Sequence, residues 1–397
     1  MNVREMLVIP IRLTLGICGD ERDVDAMLGG QIARVCDDDA DAARELKVLE
    51  KKGYAHAGRY RNAVITYSPI SQLHRSADSP LRVAFVGQST FFEACSLEPQ
   101  SAAAVGLESR FVEYRDGSPI EQVLDELQGF GAEVTVLFRP EIFPAGAFHE
   151  LPGAVMGFLT EPLPRRERGE VVHDDLKGRL RDLRRIDPLN VDRVIAFDPL
   201  IASAADDAAP VWRSLPLPVA DSFYRPVGSA APAGPALFVG RSTPHRERFL
   251  AAAKWQGDVF HLGFGVDTEH LQQLMEEHSV AINVHNEPYP TFENRVCIHL
   301  AAGQLVFSEP LSPLHGLEPG IDYLECPDGA VLAEGLERLR KMPGLWQDIR
   351  IRGRRKAELY RASHVYPRII FDLLTDLKSA PSARPGAELA PKAASLS

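Results

Sequence analysis

The sequence predicts a two-domain α/β protein: two facing Rossmann-like domains with a central cleft, preceded by a small N-terminal extension. Three observations predict it. Short apolar runs alternate with helical stretches over residues 80–225. A segment rich in proline, alanine and glycine, LPLPVADSFYRPVGSAAPAGPA, follows at about 215–236. The alternation then restarts and continues to about residue 309. Buried strands separated by helices imply parallel, doubly wound sheets, whose ligands sit at the C-terminal ends of strands.

In the first domain the expected strands are RVAFVG (82–87), RFVEYR (110–115), EVTVLFR (133–139), AVMGFLT (154–160) and DRVIAFD (192–198). Helices fall on SPIEQVLDELQ, with Ser118 as its N-cap, and on the charged stretch DDLKGRLRDLRR. In the second domain ALFVG (236–240), DVFHLGF (258–264), VAINVH (280–285) and QLVFSE (304–309) read as strands. Between them lie the helices HRERFLAAAKW, DTEHLQQLMEEH and one around 292–302. The chain is expected to be helical from 328 to about 378, within a second domain of residues 226–378. Residues 379–397 are low in bulky apolar side chains and read as a disordered tail. Residues 1–79 carry a helical stretch over 39–52 and a strand-like NAVITYS. A helix followed by a hairpin suits a winged-helix fragment, but the acidic run at 37–39 argues against DNA contact. An appended extension of unknown role is the simpler reading.

Bulk numbers set outer limits. The 397 residues allow two or three domains at roughly 100–200 residues each. Apolar residues make up 45% and charged residues 25%, enough for a core in each domain. The formal charge of −11 argues against broad nucleic-acid binding. The five cysteines are scattered and show no C-x-x-C spacing, which fits a reducing cytoplasm and no zinc site. No run reaches the roughly 18 apolar residues a membrane span needs, which leaves only peripheral membrane association open.

Two segments can carry chemistry. The first is the turn after ALFVG: Gly240, Arg241 and Ser242, with Arg246 five residues beyond Arg241. Glycine after a strand lets backbone approach a phosphate, and the next helix N-terminus favours anions. The two arginines suit a diphosphate, and they would stabilise charge developing on a leaving nucleotide. The second segment runs from 280 to 326. It places Asn283, His285, Asn286 and Glu287 near a strand end, then Glu293, Asn294, Arg295 and His299 on a helix that stops at Gly303. Ser308 and Glu309 end the next strand. His299 is four residues after Arg295, so the two share a helix face. In the first domain, loops at 87–90, 139–141 and 160–165 form the other side of the cleft. There Glu161 and His173 are candidates for acceptor contact.

These residues resemble the CgeB-like branch of the GT-B glycosyltransferases. The branch shows an arginine, a glycine eight residues on, a strand, then a phrase of the form PG-x-[DE]. Arg295, Gly303, Ser308-Glu309 and Glu318-Pro319-Gly320-Ile321-Asp322 match it. SHVYPRIIFDLL, with His364, Tyr366 and Arg368, resembles the family's closing helix. FVGR followed by Arg246 resembles its phosphate-binding turn, with arginine in place of lysine. The resemblance spans about 236–374, is topological over 80–225 and is absent over 1–79.

The resemblance implies a GT-B fold. It also implies transfer of a sugar from a nucleotide-sugar donor to a glycan, lipid-linked or small-molecule acceptor, with retention. The nucleotide sugar would be a substrate and no cofactor would be needed. No Asp-x-Asp pair stands at a strand end of either domain, so metal-independent transfer is expected. His173, Glu161 and Glu293 are the expected catalytic or acceptor-side groups. Gly240, Arg241, Arg246, Asn286, Asn294, Arg295, His299, Ser308 and Glu309 are the expected donor-side groups. One departure stands out. Retaining members carry a glutamate five residues before the helix-ending glycine, and here that position is Ile298. The earlier glutamate of the family pattern falls on Pro290. Glu293 or His299 would have to substitute, or the chain is a non-catalytic nucleotide-sugar binder. A sugar-nucleotide epimerase on the same fold is the remaining alternative.

Overall fold

The computed structural model describes residues 79–389, apart from 165–173, 199–200, 202–204, 206–207, 230–233, 264–265 and 290, together with three short strands nearer the start. The helix expected over 39–52, His173, Arg165, Pro290 and residues 390–397 lie outside the described residues. The three early strands are β1 (Arg4–Val8), β2 (Ala33–Cys36) and β3 (Val64–Tyr67). They pair antiparallel in the order β2-β1-β3. Only β3 lies in a stretch read as a strand from sequence.

The chain divides into two compact units: Pro69–Asp221 with Tyr360–Ser397, and Met1–Ser68 with Ser222–Leu359. Each main unit is built on a parallel sheet, so the chain is a mixed α/β protein as the alternation implied.

The first unit has six strands: β4 (Leu81–Gly87), β5 (Leu107–Glu113), β6 (Val134–Phe138), β7 (Ala154–Leu159), β8 (Arg193–Ala196) and β9 (Val211–Ser214). All are parallel, in the order β5-β4-β6-β7-β8-β9. Burial follows position. Every residue of β6 and β7 is buried, as strands covered on both faces require, whereas β5 at the edge alternates. The helices are α1 (Ser89–Phe92), α2 (Pro99–Ala104), α3 (Ile120–Phe130) and α4 (Asp174–Leu183). Val123, Leu127 and Phe130 form the buried stripe of α3, which Gly131 ends in a left-handed conformation. Ser118 is not the cap of α3. The residue before the helix is Pro119, extended and without a capping side-chain bond.

The second unit has β10 (Ala236–Val239), β11 (Val259–Leu262), β12 (Val280–Asn283), β13 (Leu305–Ser308) and β14 (Leu324–Glu325). They are parallel in the order β11-β10-β12-β13-β14. Its helices are α5 (Pro244–Trp255), α6 (Thr268–Glu277), α7 (Arg295–Ala301), α8 (Gly329–Lys341) and α9 (Gln347–Lys356). Phe238, Leu250, Ile282, Phe307 and Leu332 make its core.

The last helix, α10 (Ala362–Ser379), corrects the expected boundary at 378. Its apolar face belongs to the first unit. Tyr366, Ile369, Ile370 and Leu373 are buried in one cluster with Val83, Phe85 and Val136. The Tyr366 hydroxyl donates to the Cys95 carbonyl at 2.5 Å. Burying four such side chains is worth on the order of 6–12 kcal/mol before entropy, so α10 anchors where its stripe finds a matching core.

The expected disordered tail is also corrected, up to residue 389. Arg384 is fully buried, and its Nε and Nη2 each donate to Asp192 at 3.0 Å. The same guanidinium donates to the carbonyls of Phe148, Leu151 and Gly153. One arginine with five acceptors orders a segment that has almost no apolar anchor. Removing one partner of a buried ion pair costs about 3–5 kcal/mol. Arg384→Met should therefore lower the unfolding free energy from denaturant titration by that order, and a change under about 1 kcal/mol would show the tail to be dispensable.

Candidate functional site

Strand order locates the site. In the second unit the sequence of connections reverses direction at β10, so the turns after β10 and β12 leave in opposite directions and open a crevice. The turn after β10 is 240–243, and the segment after β12 is 284–294.

Phe238, near the end of β10, is the floor. The guanidinium carbons of Arg246 and Arg295 lie 5.5 Å and 5.7 Å from its ring centre. Gly240 makes this approach possible. A Cβ there would stand 3.0 Å from Arg295 Nη1 and 3.2 Å from Arg246 Nη1.

Arg246 is 2% exposed. Its Nε donates to the carbonyls of Val284 at 3.0 Å and His285 at 3.2 Å, and its Nη1 donates to the Arg241 carbonyl at 3.1 Å. It therefore clips the two segments together from beneath. Burial, and next the neighbouring Arg295 charge, push its pKa down to about 10. Thr243 caps α5 by accepting from the Arg246 N–H, and its hydroxyl donates to the Asn286 carbonyl at 2.8 Å. Thr-Pro ahead of a helical run is a sequence signature of such a cap, and it was the available clue to Thr243.

Arg241 is exposed, and its Nε donates to Asn286 Oδ1 at 3.0 Å. Arg295 pairs with Glu293 at 3.0 Å through Nη2, while among the described residues its buried Nη1 has no hydrogen-bond partner. The buried Nδ2 of Asn286 has none either. Glu309 ties the start of α5 to the ends of β12 and β13. Its Oε1 accepts from His245 Nε2 at 2.9 Å and its Oε2 from the His285 N–H at 2.6 Å. His285 Nε2 donates to the Pro310 carbonyl at 2.8 Å, and burial lowers the pKa of this ring.

The structure thus gathers Gly240, Arg241, Arg246, Asn286, Glu293, Arg295 and Glu309, and adds His245, Thr243 and Phe238. Asn294 stands at the start of α7, half-buried, with no capping side-chain bond. Ser308 is 1% exposed and serves the sheet: Asn283 Nδ2 donates to its hydroxyl, which donates to the Glu309 carbonyl. His299 does not face a ligand. It is 0% exposed, and its Nδ1 donates to Gln304 Oε1 at 2.6 Å. Sharing a helix face with Arg295 put it one turn deeper into the core. Ile298 is 7% exposed.

Glu161 lies in the first unit, where it accepts from Arg179 and sits 3.9 Å from Arg139. Arg139 has a left-handed backbone (φ 60°) and donates to Glu141 at 2.9 Å. Burial raises the Glu141 pKa against the pull of Arg139. This polar corner follows β6 and β7, at the C-terminal ends where ligands are expected. Among the described residues no helix is long and apolar enough to cross a membrane.

No protein-family model matches the chain, and no curated protein matches it in sequence. Among solved structures it is similar to HepE of Anabaena in complex with UDP and glucose, at 12% identity and a TM-score of 0.47 over 75% of this chain and 100% of that one. Sucrose-phosphate synthase of Thermosynechococcus elongatus is similar at 14% identity and a TM-score of 0.49, over 75% and 99% of the two chains. AviGT4, a glycosyltransferase involved in avilamycin A biosynthesis, is similar at 14% identity and a TM-score of 0.48, over 76% and 99%.

Burial holds the His299 pKa down at about 4, against 6.5 for a free ring. The unfolded chain therefore binds this proton at a higher pH than the folded one. Stability from the neutral ring is fully present above pH 6.5 and drains away as pH falls towards 4, by about 3 kcal/mol. His285 is shifted in the same direction. His299→Asn, which keeps a donor near the Nδ1 position, should flatten this part of the denaturation midpoint against pH. An unchanged slope would show that other groups carry it.

Proposed function

We propose that the chain is a GT-B glycosyltransferase of the CgeB-like type, whose second unit binds the diphosphate of a nucleotide sugar at the β10–β12 crevice. The observation that carries the reading is the contact at Gly240. A glycine admits two guanidiniums, and one of them, Arg295, keeps a buried N–H with no acceptor among the described residues. A phosphate oxygen is the acceptor such a group is suited to. Arg241 stands exposed at the rim, and the N-terminus of α5 adds the partial charge of its dipole.

In this reading Arg241 and Arg295 hold the diphosphate and neutralise the charge that grows on it as the sugar leaves. These fixed positive groups do what a metal ion does elsewhere, so transfer is metal-independent. The leaving phosphate serves as base towards the incoming acceptor hydroxyl, which is compatible with retention. Glu293 holds Arg295 rather than a sugar hydroxyl. The acceptor is a glycan, a lipid-linked sugar or a small molecule, and the polar corner around Arg139 and Glu161 is the group of side chains suited to its hydroxyls.

A second reading has its own observation. Ile298 and His299 are both buried, so α7 offers no hydroxyl-binding side chain where the family carries glutamate. That favours a protein that binds a nucleotide sugar without turning it over. A panel of nucleotide sugars, assayed for binding, slow hydrolysis and transfer, separates the two readings: binding with neither hydrolysis nor transfer selects the second.

A hydrogen bond to a charged group is worth about 1.5–3 kcal/mol, or about 10–150-fold in affinity. Arg241→Ala and Arg295→Ala should each weaken donor binding by that order and abolish transfer, with folding intact by circular dichroism. Transfer that survives both changes would place the donor elsewhere.

A further inference from the structure

The turn 240–243 is held from its outer side by a circuit of side chains. His261 Nε2, on β11, lies 2.8 Å from the Gly240 carbonyl. Lys254 Nζ, on α5, lies 2.8 Å from His261 Nδ1 and donates to Glu247 Oε2 at 2.7 Å. Ser242 Oγ donates to Glu247 Oε1 at 2.6 Å, closing the circuit on the same turn. The chemistry fixes every proton. A carbonyl only accepts, so Nε2 carries the hydrogen; an ammonium only donates, so Nδ1 is a lone pair. Lys254 thus selects the His261 tautomer that can grip Gly240. The His261 ring also packs on Phe238, with centres 4.9 Å apart.

This grip has a geometric consequence. β10 runs between β11 and β12. The Gly240 N–H donates to the Leu262 carbonyl at 2.8 Å, and the Gly240 carbonyl meets His261, so both groups face β11. The peptide that follows is planar and trans, with its N–H opposite its carbonyl. The Arg241 N–H is therefore turned to the β12 side. No acceptor among the described residues meets it there. The unpartnered Nδ2 of Asn286, whose side chain holds Arg241, belongs to the β12 side of the same crevice.

We propose that His261 and Lys254 are positioning residues for anion binding. By holding the Gly240 carbonyl against β11, they aim the backbone N–H of Arg241 into the crevice as a donor to the diphosphate. This role rests on the function proposed above. If the grip were lost, the Gly240–Arg241 peptide could turn over and present its carbonyl oxygen to the anion, replacing attraction with repulsion.

Titration calorimetry on the full chain tests this, with UDP, GDP, ADP and dTDP as probes. His261→Phe keeps a ring against Phe238 and removes the N–H, whereas His261→Gln returns an amide N–H near the Nε2 position. For whichever diphosphate the parent binds, His261→Phe should weaken binding about tenfold or more, and His261→Gln should return it to within about threefold of the parent. Lys254→Met should weaken it less than His261→Phe, because the ring can still adopt the gripping tautomer part of the time. Melting temperatures without ligand should stay within about 4 °C of the parent. Parental affinity in His261→Phe alongside lost binding in Arg241→Ala would overturn the positioning role and leave the function standing. Equal losses in His261→Phe and His261→Gln would also overturn it. A parent that binds none of the four overturns the proposed function itself, and this role with it.

Discussion

The guanidinium of Arg246 is buried between two loops, and the shape of the crevice depends on it. Burying a charge is costly unless hydrogen bonds replace the lost water. Here three carbonyl groups do so, those of Arg241, Val284 and His285, and they belong to the turns after β10 and β12. The bonds that solvate the charge are therefore the bonds that set the spacing of the crevice. The Phe238 ring beneath fixes the plane, and Gly240 leaves room for it. Charge is held just below a surface that Arg241 and Arg295 line, and burial with Arg295 nearby already weakens Arg246's hold on its own proton. An arriving anion would relieve that crowding.

Carboxylates balance the charge of these guanidiniums. Glu293 lies 3.0 Å from Arg295 and 3.9 Å from Arg246, so it faces both guanidiniums. Glu309 joins His245 to the His285 backbone and so links the start of α5 to the ends of β12 and β13. A chain with a formal charge of −11 can in this way hold a locally cationic crevice. Binding a diphosphate would then bring phosphate oxygens to Arg295 Nη1 while Glu293 keeps Nη2. Arg241, exposed at the rim, is held by a neutral amide.

Much of this was legible in the sequence because it is encoded locally. Strand-length apolar runs such as VTVLF and AVMGFL gave the parallel sheets, since both faces of such strands are buried. Glycine and arginine after ALFV marked the turn that is proposed to hold a phosphate. Pairings between distant positions were not legible. The charge of Arg246 was visible in the sequence, while the carbonyls its Nε donates to, 38 and 39 residues away, were not. His299 shares a face with Arg295, yet a helix packed on a sheet turns only its first turn to the crevice, and burial took the rest. The tail after α10 has the composition of a disordered segment. One ion pair, between Arg384 and Asp192, overrides that composition. His261 carried no signal at all, since its role comes from lying on the strand beside Gly240.

A nucleoside diphosphate is proposed to sit on the β10–β12 crevice. Hydrogen–deuterium exchange of backbone amides, with and without saturating nucleoside diphosphate, tests it most directly, because the claim names backbone N–H groups. Exchange should slow only within residues 240–246 and 284–295, with the Arg241 amide among those protected. Unchanged exchange in both segments, or protection only around 139–161 in the other unit, would contradict it.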